Sequence, residues 1–151
     1  MQKLSTSLLV LLIFCSTSFA KNIKVIDGDT IVINDEKIRF SGIDAPELKQ
    51  TCGSTDKKIF CGKLAKKHLI KKIGKEIPLC VKEGRDVYKR TLAECFINGE
   101  SLSSFMVKSG YAFAFRKYSK KFIKDENFAK NNNFGLWKTV FELPWDFRHK
   151  K

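Results

Sequence analysis

Val25-Ile26-Asp27-Gly28-Asp29-Thr30-Ile31-Val32-Ile33 runs into Asn34-Asp35-Glu36 and returns through Lys37-Ile38-Arg39-Phe40-Ser41-Gly42-Ile43-Asp44-Ala45-Pro46-Glu47. The β-branched run from Thr30 to Ile33 has the composition of a strand, and Asn34 to Glu36 reads as a turn. Lys37 to Phe40 supplies the returning strand, so spacing and composition predict a hairpin. Asp27, Asp29, Asp44 and Glu47 then fall at two adjacent strand ends, with Arg39 between them.

Working outward, residues 23 to 26 make a further strand, and Ile77 to Val81 pairs with Thr91 to Ile97 across residues 82 to 90. These make five strands. Lys63 to Ile73 reads as a helix that turns Leu64, Leu69 and Ile73 inward and Lys66, Lys67, Lys71 and Lys72 outward, with Gly74 as its stop. Ser101 is the expected cap of a helix carrying Leu102, Phe105 and Met106 and ending at Gly110. A third helix, from about Lys121 to Asn132, closes at Gly135. Strands first, one helix between and helices last predict an α+β domain, an order that does not distinguish a barrel from an open sheet. Phe105, Phe113, Phe115, Phe122, Phe128 and Phe134 are expected in the core, and His68 and His149 at the surface.

Residues 1–20 stand apart from this pattern. Lys3 gives a positive start, Leu8 to Phe14 is apolar, and Ser18-Phe19-Ala20 is a small-x-small site, which together predict a cleavable export signal. The apolar run is too short to span a bilayer, and Phe14 before Cys15 fits a lipoprotein site badly. Residues 21–151 are then a single domain in a secreted or periplasmic protein, with no stable membrane insertion.

The full chain carries 29 basic and 16 acidic residues, a formal charge of +13. Such a surface suits a polyanion, either nucleic acid or an anionic membrane. Without Cys15 four cysteines remain, an even number suited to an oxidising compartment. Of the three possible pairings, Cys52 with Cys61 and Cys80 with Cys95 is favoured. The first two flank a short polar loop, and the second two sit at mirror positions around one turn. No close Cys-x-x-Cys pair is present, which argues against zinc.

Asp-Gly and Asp-Ala-Pro-Glu each have an ordinary explanation as turns. Together they gather carboxylates that repel one another unless a cation or an arginine answers them. Oxygen ligands from Asp29 and Asp44 suit calcium or magnesium, and the lack of nearby histidine or cysteine disfavours zinc and copper. The set also matches what phosphodiester hydrolysis needs: a cation at the phosphoryl oxygen, a carboxylate to take a proton from water, and guanidinium forks for the phosphate.

These motifs resemble the staphylococcal nuclease, or thermonuclease, family. Asp86-Val87-Tyr88-Lys89-Arg90-Thr91-Leu92-Ala93 is similar to its Asp-x-Tyr-Gly-Arg-x-Leu-Ala segment, Asn98-Gly99 through Gly110-Tyr111-Ala112 to its next strand exit and helix, and Gly135-Leu136-Trp137 to its closing Gly-Leu-Trp. The resemblance implies a five-stranded oligonucleotide-binding (OB-fold) barrel with three helices. It also implies a calcium-dependent endonuclease that cuts DNA and RNA with little sequence preference and leaves 3′-phosphates. By position, Asp29, Asp44 and the backbone carbonyl of Ala45 would hold Ca2+, with Asp27 in the outer shell. Glu47 would be the general base, and Arg39 and Arg90 would hold the phosphate. Tyr88, Tyr118 and Lys89 are expected to bind substrate by stacking and charge, single-stranded or frayed nucleic acid being favoured. The protein is expected to be a monomer.

Two departures stand out. Lys89 occupies the family's glycine position, so either the backbone there is left-handed, at a cost of about 1 to 2 kcal/mol, or the turn is shaped differently. Ala45 replaces threonine in the family prototype, though only a backbone oxygen is expected from it. A non-catalytic OB-fold nucleic-acid-binding module is the main alternative, and such modules lose carboxylates or arginines that this chain retains. A basic membrane-surface protein would explain the charge but not Asp29, Asp44 and Glu47 together.

Overall fold

The computed structural model describes residues 22–54 and 56–150, so the expected signal peptide and Cys15 lie outside the described residues. The strands are β1 (Ile23–Val25), β2 (Thr30–Ile33), β3 (Glu36–Phe40), β4 (Ile43–Asp44), β5 (Thr51–Ser54) and β6 (Lys57–Phe60), then β7 (Leu79–Arg85), β8 (Thr91–Ile97), β9 (Glu100–Ser101) and β10 (Phe113–Ala114). Helix α1 (Cys61–Ile73) interrupts the strands after β6. Helices α2 (Leu102–Lys108), α3 (Ile123–Asn131) and α4 (Pro144–His149) follow in the second half, with a 3-10 turn at Gly135–Lys138.

The five anticipated strands form one sheet in the order β1-β2-β3-β8-β7, with β9 attached to β8. Every pairing in it is antiparallel except β3 with β8, which is parallel and sets Arg39 opposite Leu92. The curled sheet with its helices is an α+β OB-fold. The β2–β3 loop is one residue tighter than expected. Ile33 pairs with Glu36, and Asn34 and Asp35 have φ of 47° and 66°. Two left-handed residues make the turn whose twist matches a hairpin, and Asn and Asp tolerate that conformation best after glycine.

The core lies between the sheet and the helices. Ile31, Ile38, Phe40 and Ala93 pack with Ala65, Leu69 and Met106. Ser101 caps α2 as expected, its hydroxyl accepting from the Ser104 amide at 3.2 Å. Both favoured disulfides form, Cys52–Cys61 and Cys80–Cys95.

Several expectations are corrected. Helix α1 begins at Cys61, so Cys61, Ala65, Leu69 and Ile73 make its buried stripe, and Leu64, one position off that stripe, is exposed. Phe128 and Phe134 pair edge to face on the surface instead of entering the core. His68 is half-buried, stacked on Phe105 and Tyr111 at 4.9 and 4.2 Å. Burial, with Lys71 nearby, lowers its pKa. β7 runs to Arg85, into the expected turn, through an irregularity between Lys82 and Gly84. The polar segment between Cys52 and Cys61 is not merely a loop, since β5 and β6 pair there. Helix α4 and the short β4–β10 ladder are additions to the expected set.

Two glycines let α1 lie flat against the loops that carry the acidic residues. A methyl group at Gly28 would sit 2.7 Å from the Ala45 Cβ and 2.8 Å from that of Ala65. One at Gly62 would sit 1.9 Å from the backbone oxygen of Glu47. Gly62→Ala must therefore push α1 and the Glu47 loop apart, with an expected loss of about 1 to 3 kcal/mol in urea unfolding. Unchanged stability would show that the two elements are not in close contact.

Candidate active site

Pairing of β2 with β3 sets Thr30 opposite Arg39, which brings Asp29, at the β2 entrance, beside the arginine. Ile38 and Phe40 point into the core, so the alternation of the strand turns Arg39 to the other face. There one Nη donates to Asp29 Oδ1 and the other to Asp44 Oδ1 at 2.8 Å. Asp29 also accepts from the Ala45 amide at 2.7 Å and the Thr30 hydroxyl at 3.0 Å, while Asp27 accepts from the Asp29 amide at 3.0 Å. Asp44 is fixed from behind by β4, where it pairs with Phe113 of β10.

Asp29 and Asp44 are almost wholly buried, with 2% and 0% of their surface exposed. Burial raises the Asp44 carboxyl, and the Asp29 charge adds to it, against the pull of Arg148 and Arg39. Asp27 is pushed up to about 7, chiefly by burial and then by Asp29. Burial alone would lower the Arg39 pKa, but the charges of Asp29 and Asp44 outweigh it and hold the guanidinium above its ordinary value.

Glu47 sits on a separate loop. Its backbone oxygen accepts from the Gln50 amide at 2.8 Å and its own amide donates to Gln50 Oε1 at 3.2 Å. Gln50 is fully buried, and its Nε2 donates to the Glu142 carbonyl at 2.7 Å, which fastens this loop to the C-terminal segment.

Arg90 comes from the β7–β8 loop. Asp86 organises that loop, accepting from the amides of Tyr88 and Arg90 at 2.9 Å each and from Arg90 Nε at 2.6 Å. Lys89 has φ of 62°, so of the two alternatives at this glycine position the left-handed backbone is the one present, with its cost of about 1 to 2 kcal/mol. The Arg90 guanidinium lies 5.5 Å from the Tyr88 ring centre.

All these elements face one cleft of about 1130 Å³. Asp27, Asp29, Arg39, Ala45 and Glu47 line one part of it, and Tyr88, Arg90 and Tyr118 another. Asp44 lies buried beneath, bonded to Arg39. Lys89 is exposed on the same loop as Arg90 but outside the cleft wall. His149 is exposed at the cleft edge.

Sequence reasoning missed Arg148, which lines the same cleft from α4. Its Nη2 lies 2.6 Å from Asp44 Oδ2, and its Nη1 lies 2.9 Å from Glu47 Oε1. Nothing in the basic C-terminal stretch marks this residue out, because its partners are 104 and 101 positions away.

The chemistry of the donors fits a hard cation. Asp29 and Asp44 offer only oxygen, the donor type that hard cations take, and a cation would share them with Arg39 and Arg148. Among the described residues no three His, Cys, Asp or Glu side chains form a ready metal-binding group. A cation would therefore rest on the two carboxylates, with backbone oxygen and water completing its shell.

Among the described residues, no helix is long and apolar enough to cross a membrane. A family model described as staphylococcal nuclease homologue matches residues 37–139. An Escherichia coli O157:H7 protein named "Uncharacterized endonuclease" is 33% identical over 158 residues, spanning 95% of this chain and 96% of its own. A Haemophilus influenzae protein of the same name is 29% identical over 145 residues, covering 89% of this chain and 76% of its own. "Staphylococcal-like nuclease CAN1" of Arabidopsis thaliana is 34% identical over 128 residues, which are 82% of this chain but 36% of its own. A matched segment running from the Arg39 strand to the 3-10 turn places the chain in the staphylococcal nuclease family.

Proposed function

We propose that this protein is an exported, calcium-dependent endonuclease, periplasmic or secreted, that hydrolyses DNA and RNA with little sequence preference and leaves 3′-phosphates. The observation that carries the reading is the convergence of Asp29, Arg39, Glu47 and Arg90 on one cleft, with Asp44 directly beneath. A non-catalytic binding module would have no use for two buried carboxylates and a third on a loop beside them.

Asp29, Asp44 and the Ala45 carbonyl would hold the cation, with Asp27 behind them. When bound, calcium supplies positive charge at the phosphoryl oxygen. Glu47 takes a proton from the water that attacks phosphorus, and the 5′ oxygen leaves, taking up a proton from solvent to become a hydroxyl, while the phosphate stays on the 3′ oxygen. Arg39, held by its carboxylates, and Arg90, held through Nε alone, present donors to the phosphate. Tyr88 and Tyr118, 78% and 71% exposed, suit stacking on bases of any identity, which favours unpaired strands. The proposed working form is a monomer.

The deciding assay incubates purified protein with single-stranded and duplex DNA and RNA in calcium, in magnesium and in chelator, followed by end-group analysis. Cleavage in calcium alone, with 3′-phosphate ends, is expected. No cleavage in calcium would leave the binding-module reading instead. Glu47→Gln is expected to retain nucleic-acid binding and to lower turnover by at least about 10²-fold. Wild-type turnover in that variant removes Glu47 from the reaction.

The arginine loop carries a pH signature. Burial works to raise the Asp86 carboxyl, but the hydrogen bonds and charge of Arg90, with the Tyr88 amide, outweigh it and hold the pKa below the usual value. A carboxyl lowered in the folded state stabilises fully above its unfolded value near ~3.9, and that contribution is lost as pH falls through the lower folded value. Protection of the Tyr88 and Arg90 amides, their exchange measured against the intrinsic rate at each pH, is thus expected to hold at neutral pH and to fall below about pH 3.9. In Asp86→Asn the acid step should vanish. A loop that melts near pH 6 in the native protein would contradict this account.

A further inference from the structure

Arg148 touches the two side chains that the proposed reaction needs for other purposes. Its guanidinium reaches Asp44 Oδ2 at 2.6 Å, Asp44 Oδ1 at 3.2 Å and Glu47 Oε1 at 2.9 Å. Asp44 is the proposed cation ligand and Glu47 the proposed base, so this inference rests on the reading above. Both Asp44 oxygens are engaged by Arg148, which opposes a cation there, and one of the two Glu47 oxygens is tied to the same guanidinium. A cation on Asp44 would also repel the guanidinium from the same carboxylate.

The backbone that presents Arg148 is firmly placed. The Val140 carbonyl accepts from the Gly53 amide at 2.7 Å, and the Glu142 carbonyl accepts from Gln50 Nε2 at 2.7 Å. Phe141 packs on Phe113 at 4.9 Å, and Trp145 stacks on Phe115 at 5.4 Å with nearly parallel rings. Pro144, at the start of α4, is buried. A guanidinium displaced from Asp44 thus stays at the cleft it lines, tethered by a fixed helix, with its side chain already 38% exposed.

Charge says where it goes. Asp29, Asp44 and Glu47 bring three negative charges against two positive ones from Arg39 and Arg148. A divalent cation turns this deficit into a surplus of one positive charge, and one phosphodiester neutralises it. A planar fork that has lost a carboxylate finds in a phosphate the other group whose paired oxygens match it. The matched family segment ends at residue 139, so Arg148 lies outside it.

We infer that Arg148 is a third phosphate-binding guanidinium of this site, resting on Asp44 and Glu47 until a divalent cation takes Asp44, and then moving to the phosphodiester. Cation and nucleic acid then bind cooperatively through this side chain, because each relieves the arrangement that opposes the other.

The test measures binding apart from turnover. Calcium chloride is titrated calorimetrically into purified wild type, Arg148→Met and Arg148→Lys, without nucleic acid. A phosphorothioate oligonucleotide is then titrated into each protein in saturating calcium. Arg148→Met should bind calcium more tightly, by about 5-fold or more, since its competitor is gone, and the oligonucleotide about 10-fold more weakly. Arg148→Lys, which keeps the charge and loses the fork, should fall between for calcium and still bind the oligonucleotide less well. It also serves if the methionine variant does not fold. A purely structural arginine would loosen the Glu47 loop when removed. Calcium affinity that is unchanged or weaker in the variants, or oligonucleotide affinity equal to wild type, overturns the inference while leaving the nuclease reading intact. Wild type that binds no calcium sinks both.

Discussion

Arg39 bonds with one guanidinium nitrogen to Asp29 and with the other to Asp44, and the shape of the site follows from that pair of contacts. Two carboxylates so deeply buried would repel each other and lose hydration with nothing in return. Removing one partner from such a cluster costs about 3 to 5 kcal/mol, chiefly because the remaining charge is stranded. The β2–β3 register, the bond from the Ala45 amide to Asp29 and the β4–β10 ladder are therefore tied to a common requirement, that both acids reach the same arginine. Buried ion pairs of this kind are poor stabilisers compared with apolar packing, so their presence speaks for function more than for folding.

Stability comes instead from two apolar clusters. One joins the sheet to α1 and α2. The other, around Cys52, Cys61, Phe113 and Leu136, collects Trp137, Phe141 and Trp145 and fastens the C-terminal segment beside the Glu47 loop. The Cys52–Cys61 disulfide belongs to this second cluster, so the crosslink, the start of α1 and the Glu47 loop form a continuous wall.

What could be read from the sequence was what local pairing determines. Asp29 and Arg39 lie ten residues apart across a two-residue turn, so the hairpin alone brings the strand entrance that carries Asp29 beside Arg39. The two disulfides were legible because each joins cysteines close in sequence. The glycine-to-lysine change at residue 89 flagged a left-handed backbone, which the loop indeed adopts. Arg148 was not legible, since a six-residue helix is too short for periodicity to reveal its faces, and its partners are set by tertiary packing. His68 failed for a related reason. On a lysine-rich helix it read as solvated, but Phe105 and Tyr111 arrive from elsewhere in the chain to cover it.

The arginines at the cleft differ in how they are held, and the difference bears on how the site works. Arg39 has both Nη groups engaged and 14% of its side chain exposed, so it is preorganised and adds little reorganisation when charge develops on a phosphate. Arg90 stands on an exposed hairpin loop and is anchored through Nε by Asp86, which leaves the planar end of the fork available. Preorganisation suits stabilising a transition state, whereas a loop-borne fork suits capturing substrates of varied shape. The proposed cleavage with little sequence preference needs both properties. Placing one arginine on a central strand and another on a hairpin tip lets a single rigid sheet supply them without moving.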